Sequence, residues 1–102
     1  MDSQLPHVRV TVVEAPACHH CADAKEALQQ LSASFRFTVD VIDVRSSVGQ
    51  ALAAEHRAAM SPLVLVNGRF FSHGRLPRRK LEKLLREASA ALPTNSDVVG
   101  IG

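Results

Sequence analysis

The spacing of apolar residues changes several times along the chain, and each change marks an element. Val8-Arg9-Val10-Thr11-Val12-Val13 is β-branched apart from Arg9 and predicts a buried or half-buried strand. Pro16 interrupts it and opens a turn. From Cys18 onward the spacing is helical: Ala24, Ala27, Leu28, Leu31 and Phe35 share one face, while Asp23, Lys25, Glu26 and Gln29 occupy the others. A second strand is expected over roughly Phe37 to Val44, with Phe37, Val39 and Val41 pointing one way and Thr38, Asp40 and Ile42 the other.

Ser47-Val48-Gly49-Gln50 reads as a capping box opening a second helix that carries Val48, Ala51, Leu52, Ala58 and Ala59. That helix should stop near Met60, because Pro62 disfavours helical geometry at Ser61. Leu63-Val64-Leu65-Val66 is a continuous apolar run, expected of a central strand covered on both faces. Asn67-Gly68 is a strong hairpin signal, with Arg69 to Ser72 as the return strand and His73-Gly74 ending it. Pro77 fits the first position of a last helix lined by Leu81, Leu84, Leu85, Ala88 and Leu92.

The predicted order is β-α-β-α-β-β-α. The first two strands should pair in parallel through a right-handed crossover, the hairpin should add an antiparallel edge, and helices should cover both faces. This is one α/β domain, expected over residues 1–92, followed by a flexible tail from Pro93 to Gly102. The 102 residues are 46% hydrophobic and 22% charged, enough apolar material for one core, which argues against disorder, and no apolar run approaches about 18 residues, which argues against a membrane span. Met1 to His7 carries no secretory pattern, so a cytoplasmic location is expected.

Net charge is only +2, but Arg69, Arg75, Arg78, Arg79, Lys80, Lys83 and Arg86 crowd the last third of the chain. Such clustering can attract nucleic acid or an acidic partner. No nucleic-acid motif or aromatic stacking surface accompanies it, so a solvated helix face is expected and nucleic acid is not.

The chain's two cysteines, Cys18 and Cys21, fall where the first strand turns into the first helix. In a reducing compartment this spacing is more often catalytic or metal-binding than a staple, and a bridge over so short a loop adds little stability. The attacking species in disulfide exchange is the thiolate, and a helix start, with its free amides and positive dipole end, favours an anion. Cys18, at the exposed end, is placed to attack a substrate disulfide; Cys21, one turn on and less accessible, is placed to resolve the mixed disulfide. His19 and His20 would add positive potential or hydrogen-bond a thiolate, favouring the reduced form and making the pair a better oxidant; otherwise they are exposed polar residues of the first turn.

With Pro16-Ala17-Cys18-His19-His20-Cys21 between strand and helix, Met60-Ser61-Pro62 before a strand, and Leu63 to Val66 leading into Asn67-Gly68, the chain resembles the thioredoxin-fold oxidoreductases, the glutaredoxin-like branch in particular. The resemblance spans Val8 to Ala90. It implies a four-stranded mixed sheet and a thiol–disulfide oxidoreductase acting on protein or low-molecular-weight disulfides. A thiol or reductase would supply the electrons, with no cofactor and no metal. It also implies a cis proline at Pro62, close to the attacking cysteine, and a substrate-binding role for Ser61 through the substrate backbone. The resemblance stops at several positions. Ala15 stands where glutaredoxins carry a lysine, and Ser72-His73-Gly74-Arg75-Leu76 reverses the charge of their glutathione-binding segment. Ala17 and Val12 replace the tryptophan and buried aspartate of thioredoxins. His20 is similar to the residue before the second cysteine of protein disulfide isomerases.

Two other readings stay open. Cys18, His19, His20 and Cys21 are possible zinc, copper or iron–sulfur ligands, although four consecutive helical residues cannot all face one ion, so groups from a second chain would be needed. Alternatively, the domain is a redox-inactive binding module that docks a partner through Arg78, Arg79 and Lys83. His7, His56 and His73 have no visible companions and are expected at the surface, His73 nearest the cysteines. Glu14 is either a strand-end surface acid or a proton carrier for Cys21.

Overall fold

The computed structural model describes residues 8–90, with side chains through Ala88; the expectations for His7, Leu92 and the tail from Pro93 lie outside the described residues. The elements are β1 (Val8–Glu14), α1 (His19–Leu31), β2 (Phe37–Asp43), α2 (Ser47–Glu55), β3 (Leu63–Val66), β4 (Arg69–His73) and α3 (Arg78–Ala90). The strands form one sheet in the order β2-β1-β3-β4, with β1 and β2 parallel and the other pairs antiparallel. This is the mixed α/β architecture expected from the sequence.

Strand alternation divides the core into two layers. Val8, Val10 and Val12 of β1 join Val64 and Val66 of β3, Leu28 and Leu31 of α1, and Leu81 and Leu85 of α3 on one face. Val13, Leu63 and Leu65 point to the other, where Ile42, Val44, Leu52 and Ala58 close over them. All four residues of β3 are buried, as its unbroken apolar run requires.

Several local details depart from the sequence pattern. Ser46, not Ser47, caps α2: its Oγ accepts from the Gly49 amide at 3.0 Å, and Gln50 Nε2 donates to the Arg45 carbonyl instead of closing a capping box. The start moves because Asp43 shapes the preceding turn, accepting the Arg45 amide on its carboxylate and the Ser46 hydroxyl on its carbonyl. α2 also ends at Glu55, well before Met60, because Arg57 adopts a left-handed backbone (φ 51°), leaving Ala58 and Ala59 outside the helix. Phe35 lies beyond the end of α1 yet still packs on the core, and α3 begins one residue after Pro77.

β2 is an edge strand, and Val39 and Val41 stay largely exposed on it. The hairpin turns through Asn67 and Gly68, both at positive φ (52° and 81°) as a two-residue type I′ turn requires. An irregularity between Val64 and Leu65 gives β4 an extra residue at Phe71, which is buried, whereas Phe70 is half exposed on the opposite face.

Candidate active site

The two cysteines meet at the amino terminus of α1. Pro16 and Ala17 form the turn out of β1, with Ala17 in the left-handed region at φ 53°. Cys18 follows in extended geometry (φ −104°, ψ 113°) and is the N-cap of α1, one residue earlier than a first-turn position. An N-cap side chain faces the helix's unpaired amides. Here the Cys21 N–H donates to Cys18 Sγ at 3.2 Å, and the Cys18 carbonyl receives the Ala22 amide. No acidic residue occupies the first turn, so nothing there opposes the dipole's preference for an anion.

Cys21 is packed into the domain at 2% exposure, while Cys18 is half-buried. The two sulfurs are paired, with Cα atoms 5.2 Å apart, inside the range of about 4.4–6.8 Å that a disulfide spans. Extended geometry at Cys18 brings the side chains closer than two positions within a regular helix would. His19 and His20 are exposed on the first turn.

The loop before β3 supplies the opposite wall. The Ser61–Pro62 peptide is cis, and the Ser61 carbonyl oxygen lies 3.7 Å from Cys18 Sγ. Pro62 is buried, and its carbonyl accepts the Gly74 amide at 3.0 Å, tying the β4–α3 connection to the same wall. Cys18, Cys21, Ser61 and Pro62 thus converge, although Ser61 lies 43 positions beyond Cys18 in the chain.

A cleft of about 380 Å³ opens beside the cysteines, lined by Cys18, Cys21 and two ion pairs. Glu14 at the end of β1 meets Lys25 of α1 at 2.7 Å, and Asp43 meets Arg45 at 2.7 Å. The Arg45 side chain and backbone amide both hydrogen-bond the Asp43 carboxylate and lower its pKa to about 2. Glu14 is thus a strand-end acid held by a cation, on the wall that also carries Cys21.

Two histidines have companions that sequence spacing did not reveal. His56 stacks on Phe70 and His73 meets its edge, with ring centroids 6.4 and 5.7 Å apart. His73 Nδ1 also accepts the Ala59 amide at 3.0 Å, bracing the segment that leads into Ser61 and Pro62. The His56–Phe70 and Ala59–His73 contacts join residues fourteen positions apart, so spacing carried no signal for them. Among the described residues, no group of three or more His, Cys, Asp or Glu side chains could hold a metal ion, and no helix is long and apolar enough to cross a membrane.

The family profile described as "Glutaredoxin-like domain (DUF836)" matches residues 9–86. No curated protein matches the chain. Among solved structures, the chain is similar to an uncharacterized thioredoxin-like protein from Clostridium perfringens, at TM-score 0.66 and 13% identity over 89% of this chain and 78% of that one. It is also similar to a mutant thioredoxin from Halobacterium salinarum, at TM-score 0.60 and 21% identity over 84% of this chain and 78% of that one. At these identities the two structures establish the fold. Fold and cysteine pair together support a redox-type function.

Proposed function

Since the chain belongs to the glutaredoxin-like family of the thioredoxin fold, we propose that it is a thiol–disulfide oxidoreductase in which Cys18 attacks and Cys21 resolves. One observation carries the reading: Cys18 caps α1, receives the Cys21 amide on its sulfur, and stands against the Ser61 carbonyl at an accessible edge.

The reaction balances as two exchanges. Cys18 thiolate attacks one sulfur of a substrate disulfide; the S–Sγ bond forms and the partner sulfur leaves as a thiolate. Cys21, deprotonated in turn, attacks Cys18 Sγ, closing the intramolecular disulfide and expelling the second substrate thiolate. Two electrons pass to the substrate, whose thiolates take up protons. A thiol or dithiol donor reverses both steps on the enzyme and restores the reduced pair. The amide at Cys18 serves each passage through the anion, as a leaving group and as a nucleophile. Ser61 and Pro62 form the wall along which a substrate segment would lie, with the Ser61 backbone available to it, and His19 and His20 add positive potential at the rim when protonated. We place this activity in a reducing, cytoplasmic setting, where a two-cysteine site serves exchange.

The test is trapping. Cys18→Ser should abolish disulfide reduction, whereas Cys21→Ser should accumulate mixed disulfides through Cys18 in cell extract. Mass spectrometry then identifies the attached protein or small thiol. A Cys21→Ser variant that captures nothing, beside a Cys18→Ser variant of full activity, would contradict the assignment.

A further inference from the structure

Four of the basic residues of the last third follow directly on the segment that is tied to the cis-proline wall. The Gly74 amide is bonded to the Pro62 carbonyl, and Ser61, the residue before Pro62, places its own carbonyl 3.7 Å from Cys18 Sγ. Arg75 follows Gly74 directly, and the chain then enters α3 through Leu76 and Pro77 into Arg78, Arg79 and Lys80. These six residues line an open groove of about 440 Å³. Its floor is apolar, because Leu76 packs on the core and Leu76 and Pro77 are half-buried; its rim is cationic, with Arg75, Arg78, Arg79 and Lys80 exposed.

The charge in this groove is not neutralised. Among the described residues, no carboxylate forms an ion pair with Arg75, Arg78, Arg79 or Lys80. Arg78 donates to the neutral Gln30 side chain of α1, and the Lys80 ammonium sits over the Phe71 ring at 5.4 Å. The contrast with the cleft that the cysteines line is sharp, since there both cations are matched by Glu14 and Asp43.

We propose that this groove selects substrate disulfides flanked by acidic residues, docking an acidic polypeptide segment against Arg75, Arg78 and Arg79 while its cysteine lies at Cys18. The inference rests on the oxidoreductase reading and names its substrate class. A segment laid along the Ser61–Pro62 wall advances about 3.3 Å per residue, so a carboxylate close to the reacting cysteine reaches Arg75, while one about five positions away reaches Arg78, whose guanidinium bonds Gln30 twelve residues, about 18 Å, along α1 from Cys18. An apolar floor with a cationic rim suits a peptide that places one apolar side chain between acids. A nucleic acid fits less well, because the groove's own residues offer no aromatic face on which a base could stack.

The test uses the full-length protein and two model peptides that differ only in flanks, one rich in Asp and Glu, the other in Ser and Gln, each with one disulfide. Three exposed ion pairs give about a tenfold higher kcat/KM for the acidic peptide at low salt, a preference that falls towards unity in high salt. Replacing Arg75, Arg78 and Arg79 together by Gln should bring the ratio to about one. Replacing them by Lys should retain most of it, as should the double change Arg36→Gln and Arg57→Gln at arginines that do not line the groove. Equal kcat/KM for both peptides in the wild type, or a ratio untouched by the triple Gln change, would overturn the proposal. Should the wild type reduce neither peptide, the oxidoreductase reading fails, and fluorescence anisotropy with the reduced and alkylated peptides decides docking alone. Acidic-peptide binding that is lost in the Gln variant supports the groove, and no binding overturns it. A single-stranded oligothymidylate of equal charge that binds more tightly than the acidic peptide also overturns it, in favour of nucleic acid.

Discussion

Gly49 of α2 leaves no room for a Cβ against the end of β2, and replacing it by Ala sets two principles against each other. In an exposed helix Ala is favoured over Gly by about 1 kcal/mol, so propensity alone predicts stabilisation. Yet a Cβ at this position would lie 2.1 Å from the Asp43 carbonyl oxygen and 2.8 Å from Val44 Cα. Both obstacles are backbone, and that backbone is pinned. The Asp43 carbonyl accepts the Ser46 amide and hydroxyl, and the Val44 amide donates to the Glu14 carbonyl at 2.8 Å. α2 must therefore shift as a body, uncovering part of the layer formed by Val13, Leu63 and Leu65. Overpacking of this kind costs about 1–3 kcal/mol and sometimes more, and a clash with fixed backbone belongs at the upper end. After the propensity gain, the expected net loss is about 2 kcal/mol. That corresponds to a fall in Tm of about 8–16 °C for a domain of this size. Urea unfolding followed by circular dichroism reads the difference, with a lower midpoint at an unchanged slope. A Gly49→Ala variant as stable as the parent, or more so, would refute the packing argument and restore propensity as the deciding term.

Two further expectations concern the same corner of the domain. Ser46→Ala should cost about 1 kcal/mol as a lost helix cap while Ser47→Ala stays within about 0.5 kcal/mol, and urea midpoints that rank the two the other way would return the cap to Ser47. The Asp43 carboxyl is depressed to about 2 from an ordinary 3.8 by its hydrogen bonds from Arg45. Its stabilising contribution is thus full above the ordinary value and lost as pH falls towards about 2. The stability gap between the parent and Asp43→Asn should close over that window, and a gap that is constant with pH would contradict the assignment.

Much of this arrangement was legible from local pattern, because local chemistry decides it. The β-branched run at Val8 to Val13, the unbroken apolar stretch at Leu63 to Val66 and the Asn67-Gly68 turn each specify geometry within a few residues. The junction position of Cys18 and Cys21 followed from the same change of period. What escaped was decided across the fold. Ser46 displaced Ser47 because Asp43 bonds forward into the turn, and α2 ended early because Arg57 takes a left-handed backbone. Val39 and Val41 alternate as a buried strand would, yet strand order puts them at an edge. His56 and His73 looked isolated because Phe70, their common partner, lies fourteen positions from His56 and is separated from His73 by the irregularity in β4. The cations at the start of α3 were visible as composition, but the bond from Gly74 to Pro62 that ties the preceding connection to the cysteine wall was not.

The central claim is that the amino terminus of α1 holds Cys18 as a thiolate under conditions where an ordinary thiol stays protonated. The most direct measurement is the alkylation rate of the reduced protein as a function of pH, with the modified residue identified by mass spectrometry. The account predicts that at pH 6 Cys18 reacts faster than free cysteine while buried Cys21 stays unmodified. Modification of Cys18 no faster than free cysteine, rising only as ordinary thiols ionise, would contradict it.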